Sequence, residues 1–82
     1  MDIEHSGHRY QTYRGSDVQR DGMSLELVVD GRPEAPVIEA FFSDATGACS
    51  IQTFGHTSIP LEILREFMDE AKRSLPPVSQ TS

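Results

Sequence analysis

The side chains with the most chemistry in them are three histidines and a single cysteine, set among 13 Asp and Glu and seven Lys and Arg. His5 and His8 stand three apart with Glu4 beside them, while Cys49 and His56 lie far along the chain. Zinc takes about four ligands, held in spacings such as paired cysteines or His-Glu-x-x-His on a helix, and a second shell must orient them. Nothing here matches that pattern, so no metal ligands are assigned and His5 and His8 read as solvated side chains. A Cys49–His56 nucleophile pair, seven apart, would place its members on opposite faces of a strand, with the thiol turned toward the core and therefore protonated. Ser50 and Ser58 have no glycine-rich nucleophile elbow around them. The six glycines, at 7, 15, 22, 31, 47 and 55, never gather into a phosphate-cradling loop. No catalytic residue and no cofactor follows from these types and spacings, and the chain reads as non-enzymatic.

Composition narrows the class further. With 82 residues and a formal charge of −6, there is room for one thin core. A lone cysteine cannot close an intramolecular disulfide, which points to a reducing compartment or to an environment where thiols are irrelevant. No apolar run approaches the roughly 18 residues of a membrane span, and no basic region with an apolar stretch follows the first methionine. The expectation is a soluble, cytoplasmic protein without membrane attachment.

The elements that would position these residues show in the hydrophobic periodicity. Residues 1–8 are polar and aperiodic and read as a flexible lead-in; 9–75 read as a single domain; 76–82, opening on two prolines, read as a flexible tail. Met23 to Asp30 alternates, with Met23, Leu25, Leu27 and Val29 on one face. Val37 to Ser43 places Ile38, Ala40 and Phe42 together, and Ala48 to Phe54 groups Cys49, Ile51 and Thr53. Asp21-Gly22, Gly31 to Pro36 and Asp44 to Gly47 are the turns between strands. An initial strand lies at 9–14 or 16–20, with a bulge expected at Gly15. From Leu61 the period changes to three and four, with Leu61, Leu64, Phe67, Met68, Ala71 and Leu75 on one stripe. Arg65–Asp69 and Asp69–Arg73 are spaced as helical ion pairs.

Turn lengths fix a register to be tested. Pairing Ser43 with Ala48 makes partner numbers sum to 91, and pairing Asp30 with Val37 makes them sum to 67; both sums keep the apolar residues on one face. The expected fold is α+β: a four-stranded antiparallel meander with one C-terminal amphipathic helix across one face. The other face then carries Glu26, Val28, Val37, Glu39, Phe41 and Phe54, an apolar patch ringed by acids and a candidate interaction surface.

In order of elements alone, this arrangement resembles the single-stranded-DNA-binding domain of the transcriptional coactivator PC4 family. The resemblance implies bases stacked on the sheet, with Phe41 and Phe54 as the platform, and a basic groove for the phosphates. Only Arg9, Arg14 and Arg20 stand where a backbone could meet them, among Glu26, Asp30 and Glu39. Nucleic acid is therefore the alternative partner. The preferred one is a protein, another or a second copy, meeting the open sheet face; a small inhibitor or immunity-type protein would carry the same features.

Overall fold

The computed structural model describes residues 1–55 and 58–76. The chain runs β1 (Asp2–His5), β2 (His8–Asp17), β3 (Gly22–Val29), β4 (Ile38–Ser43), β5 (Cys49–Thr53) and α1 (Leu61–Ser74). The strands form one antiparallel sheet in sequence order, and α1 lies on one face. The α+β meander with a C-terminal helix is thus as expected, with one strand more.

The extra strand comes from the lead-in. Ser6 and Gly7 both adopt positive φ, the pair of dihedrals a two-residue hairpin of matching twist requires, so His5 pairs directly with His8 and Ile3 with Tyr10. Residues 1–8, expected to be flexible, therefore carry β1. The strand placed at 9–14 or 16–20 is a single ten-residue β2 that pairs with β3 without a bulge, Gly15 standing opposite Ser24. The turn between them also differs from expectation. Asp17 pairs with Gly22, so residues 18–21 form a four-residue turn, with Asp21 at positive φ and Val18 exposed.

Across the Asp44–Gly47 turn the expected sum of 91 holds, with Phe42 opposite Cys49 and Ala40 opposite Ile51. Between β3 and β4 the sum is 65, not 67: Leu25 faces Ala40 and Leu27 faces Ile38. The β3–β4 connection spans residues 30–37, with Asp30 and Gly31 at positive φ and the Val37 N–H donating to the Leu27 carbonyl at 2.8 Å. A slip of two residues keeps every side chain on its face, so the core survives unchanged.

The core holds Tyr10, Leu25, Leu27, Ile38, Ala40 and Phe42 from the sheet, with Ile63, Phe67 and Leu75 from the helical end. The buried stripe of α1 is centred on Ile63 and Phe67, whereas Leu61 and Met68, expected to be buried, are 57 % and 44 % exposed. Polar contacts explain this rotation. The terminal amine of Met1 donates to Glu70 Oε1 and to Thr12 Oγ1, each at 2.6 Å, and Arg14 donates to the Ser74 carbonyl. With Glu70 turned toward β1 and β2, Leu61 and Met68 are left exposed while Leu64 packs against the core. The expected Arg65–Asp69 and Asp69–Arg73 pairs are not among the ion pairs of the described residues; Glu62 and Glu70 reach across to His5 and Met1 instead. The helix stops at Ser74 because Leu75, preceding Pro76, is held extended at φ −100°, ψ 141°.

Candidate functional site

The open sheet face is less open than its residue list suggests. Glu26 stands directly opposite Glu39, and like charges in that position repel. The four-residue turn after β2 resolves the conflict by returning Arg20 over the face, where its guanidinium donates to both Glu39 carboxylate oxygens, at 3.2 and 2.6 Å, and to Asp17. Glu39 is left only 6 % exposed. Arg20 Cζ also sits 4.1 Å from the centre of the Phe41 ring, a cation–π arrangement. Beneath that ring lies Gly22, where a Cβ would come within 2.6 Å of Phe41 Cζ. These bonds raise the Arg20 pKa above its ordinary value, the Glu39 bond most and the Asp17 bond next, while the Arg20 guanidinium holds the Asp17 carboxyl below its own.

Of the six residues assigned to this face, Val28 is fully buried, Glu39 is sealed by Arg20, and Glu26, Val37 and Phe41 are half-buried. Phe54, at 36 % exposure, is the most open of them. It joins Glu34, Ala35, Pro36, Val37 and Gly55 around a shallow, mostly apolar hollow of about 460 Å³. The register slip also separates the expected neighbours: Phe41 faces Ser24 and Ser50, and Glu39 faces Glu26 and Gln52.

A second surface emerges at β5. Ser43 N–H bonds to the Ala48 carbonyl and Phe54 N–H to the Val37 carbonyl, so the even-numbered residues of β5 turn their backbone groups toward β4. Because antiparallel pairs alternate, Cys49, Ile51 and Thr53 point N–H and C=O outward, and β5 is the edge of the sheet, with β4 its only neighbour among the described strands. Their side chains lie on the helix side of the sheet, yet α1 is displaced toward β1–β3 and leaves all of β5 exposed. Ile51 is 49 % exposed, on the same side of the sheet as α1, whose Leu61 and Met68 are also exposed. Cys49, expected to be a buried core thiol, is free and exposed for the same reason.

The sequence carries a signal for this surface in its charge distribution. From Ala45 to Leu61, 17 consecutive residues contain no Asp, Glu, Lys or Arg. Edge strands are ordinarily guarded by charge. At the other edge, β1 does carry Asp2 and Glu4, with Asp2 bonded by Arg9 at 2.8 and 2.6 Å, which holds its carboxyl below the usual range.

The remaining chemical candidates are drawn apart. His5 approaches Glu62 at 3.7 Å, and His8 Nδ1 meets Asp30 Oδ2 at 2.8 Å, so the two histidines serve different carboxylates. His56, the imagined partner of Cys49, lies outside the described residues. Among the described residues, no three His, Cys, Asp or Glu side chains converge as a metal site would require, and no helix is long and apolar enough to cross a membrane. No protein-family model matches this chain, and no curated protein or solved structure shows a significant match to it.

Proposed function

We propose that this chain is a non-catalytic protein-interaction module whose binding surface is the β5 edge, which α1 leaves uncovered. The observation that carries the reading is the outward row of backbone groups at Cys49, Ile51 and Thr53 on the edge strand, with the Ile51 side chain half-exposed among them. An exposed, uncharged strand edge offers a partner strand its main-chain hydrogen bonds, and the neighbouring side chains supply selectivity. The open face contributes less because Arg20 already occupies its centre. The nucleic-acid reading is the weaker one: Arg9 and Arg20, two of the arginines a phosphate backbone would need, are bonded to Asp2, Asp17 and Glu39.

The test compares two variants by circular dichroism and by binding. Ile51→Lys places a charge on the β5 edge, and Glu26→Lys places one on the open face. Association with any protein, including the chain itself, is expected to vanish with Ile51→Lys and to persist with Glu26→Lys, both variants remaining folded. Association that survives Ile51→Lys and is lost with Glu26→Lys would return the function to the open face.

A further inference from the structure

Building on the proposed β5 surface, we infer that its occupant is a second copy of this chain, joined edge to edge about a two-fold axis passing by Ile51. Three observations bear on the identity of the occupant. The chain carries a net charge of −6, so two copies repel least where they meet along an uncharged strip, and the run from Ala45 to Leu61, which contains β5, is such a strip. The β1 edge, with Asp2 and Glu4, would place carboxylates against carboxylates in a self-pairing.

The backbone pattern is also self-complementary. With Ile51 opposite Ile51 of the second copy, Cys49 stands opposite Thr53 and Ser50 opposite Gln52. The residues that point outward, Cys49, Ile51 and Thr53, are then the ones brought into hydrogen-bonded pairs, so each outward N–H finds a carbonyl. A register displaced by one residue would set outward groups against inward ones and leave them unpaired.

Finally, the side chains at the axis suit a second copy. Ile51 would meet its own counterpart, burying a residue now 49 % exposed on the side of the sheet where Leu61 and Met68 also stand half-open. On the other side, Ser50 and Gln52 are polar and uncharged and can bond across the axis. A closed two-fold pairing consumes both free β5 edges at once, so the assembly stops at the dimer. The joined sheet has ten strands with β1 at each end.

The experiment is light scattering on the full chain across concentration, with three variants. The unmodified chain is expected to move from 9.1 kDa toward twice that mass as concentration rises. Ile51→Lys is expected to weaken self-association by about 100-fold or more, through like charges at the axis. Ile51→Pro removes an outward N–H and no bond to β4, so it is expected to stay folded by circular dichroism and monomeric. The third variant reads the register: with Cys49→Ser in the background, Ile51→Cys places two thiols in a hydrogen-bonded pair about 5.5 Å apart at Cα, within disulfide reach. Mild oxidation should cross-link this variant as a dimer, whereas Cys49 in the unmodified chain, facing Thr53, should not cross-link. A mass of 9.1 kDa persisting to about 1 mM, the weak end of specific association, would overturn the second copy. The interaction reading would then still be judged separately, by Ile51→Lys-sensitive binding to another protein. A dimer indifferent to Ile51→Lys in a folded protein would overturn the β5 axis.

Discussion

Gly22 shows how a single position controls the open face. A Cβ there would lie 2.0 Å from the Phe42 carbonyl oxygen and 2.6 Å from Phe41 Cζ, and the backbone oxygen cannot move aside. Gly22→Ala is therefore expected to cost about 3 kcal/mol or more in a denaturant titration. A midpoint that hardly moves would mean that Phe41 does not rest on this glycine. Asp30 is the residue most useful for reading acid sensitivity. Its carboxylate accepts the Arg9 N–H at 3.0 Å and meets His8 Nδ1 at 2.8 Å, and these bonds, the Arg9 one first, hold its pKa below the ordinary 3.8. A folded-state pKa below the unfolded one stabilises at pH above the unfolded value, and that contribution is lost as pH falls through the folded value. Asp2 and Asp17 shift in the same direction through Arg9 and Arg20. Melting temperature is expected to fall as pH drops below about 4. Asp30→Asn, which tolerates the positive φ of this position, should flatten that fall. An acid slope identical in the variant would assign the effect to other carboxylates.

Among the elements, α1 carries the largest departure from its apparent stripe. Leu61, Leu64, Phe67 and Met68 look equivalent at helical spacing, yet Ile63 is the residue sealed beside Phe67. Ile63→Ala should cost about 2 to 5 kcal/mol, since it opens a cavity. Leu61→Ala and Met68→Ala should each stay within about 0.5 kcal/mol in the monomer, because neither side chain is buried. Chemical denaturation of the three variants distinguishes the observed rotation from the one that periodicity suggests; equal losses at Leu61 and Ile63 would contradict it. The helical pattern itself was legible from Leu61 onward, as was the break at the two prolines that begin with Pro76. Its rotation was not, because Glu70, Thr12 and Met1 meet only after the sheet has formed.

For the molecule as a whole, β1 joins the two ends of the described chain. It pairs with β2, its Ile3 packs against the core, and the amine preceding it is held by Glu70 of α1. Removing residues 1–7 would strip one flank of Tyr10 and leave Thr12 and Glu70 without the amine. The melting temperature should fall by at least about 8 °C, given roughly 4–8 °C per kcal/mol in a domain of this size. Added zinc should not restore it. A truncated chain that melts unchanged would show that β1 contributes no net stability.

The hairpin that makes β1 had a local sign in Ser6-Gly7, where two successive positive φ values are accessible, but its polar strand hid the alternation that marks the others. By itself, the sequence determined which side of each central strand is apolar, the register across Asp44–Gly47, and the existence and limits of the helix. These depend on parity, turn dihedrals and 3.6-residue periodicity, all local properties. Tertiary structure decided the two-residue slip between β3 and β4, since a slip of two leaves every face unchanged and alternation cannot register it. It also decided that Arg20 would cover Glu39 and Phe41, because the turn that returns it is four residues long rather than two. And it decided that β5 would stand bare, because one helix drawn toward Thr12 and Met1 by Glu70 cannot also reach the far edge of a five-stranded sheet.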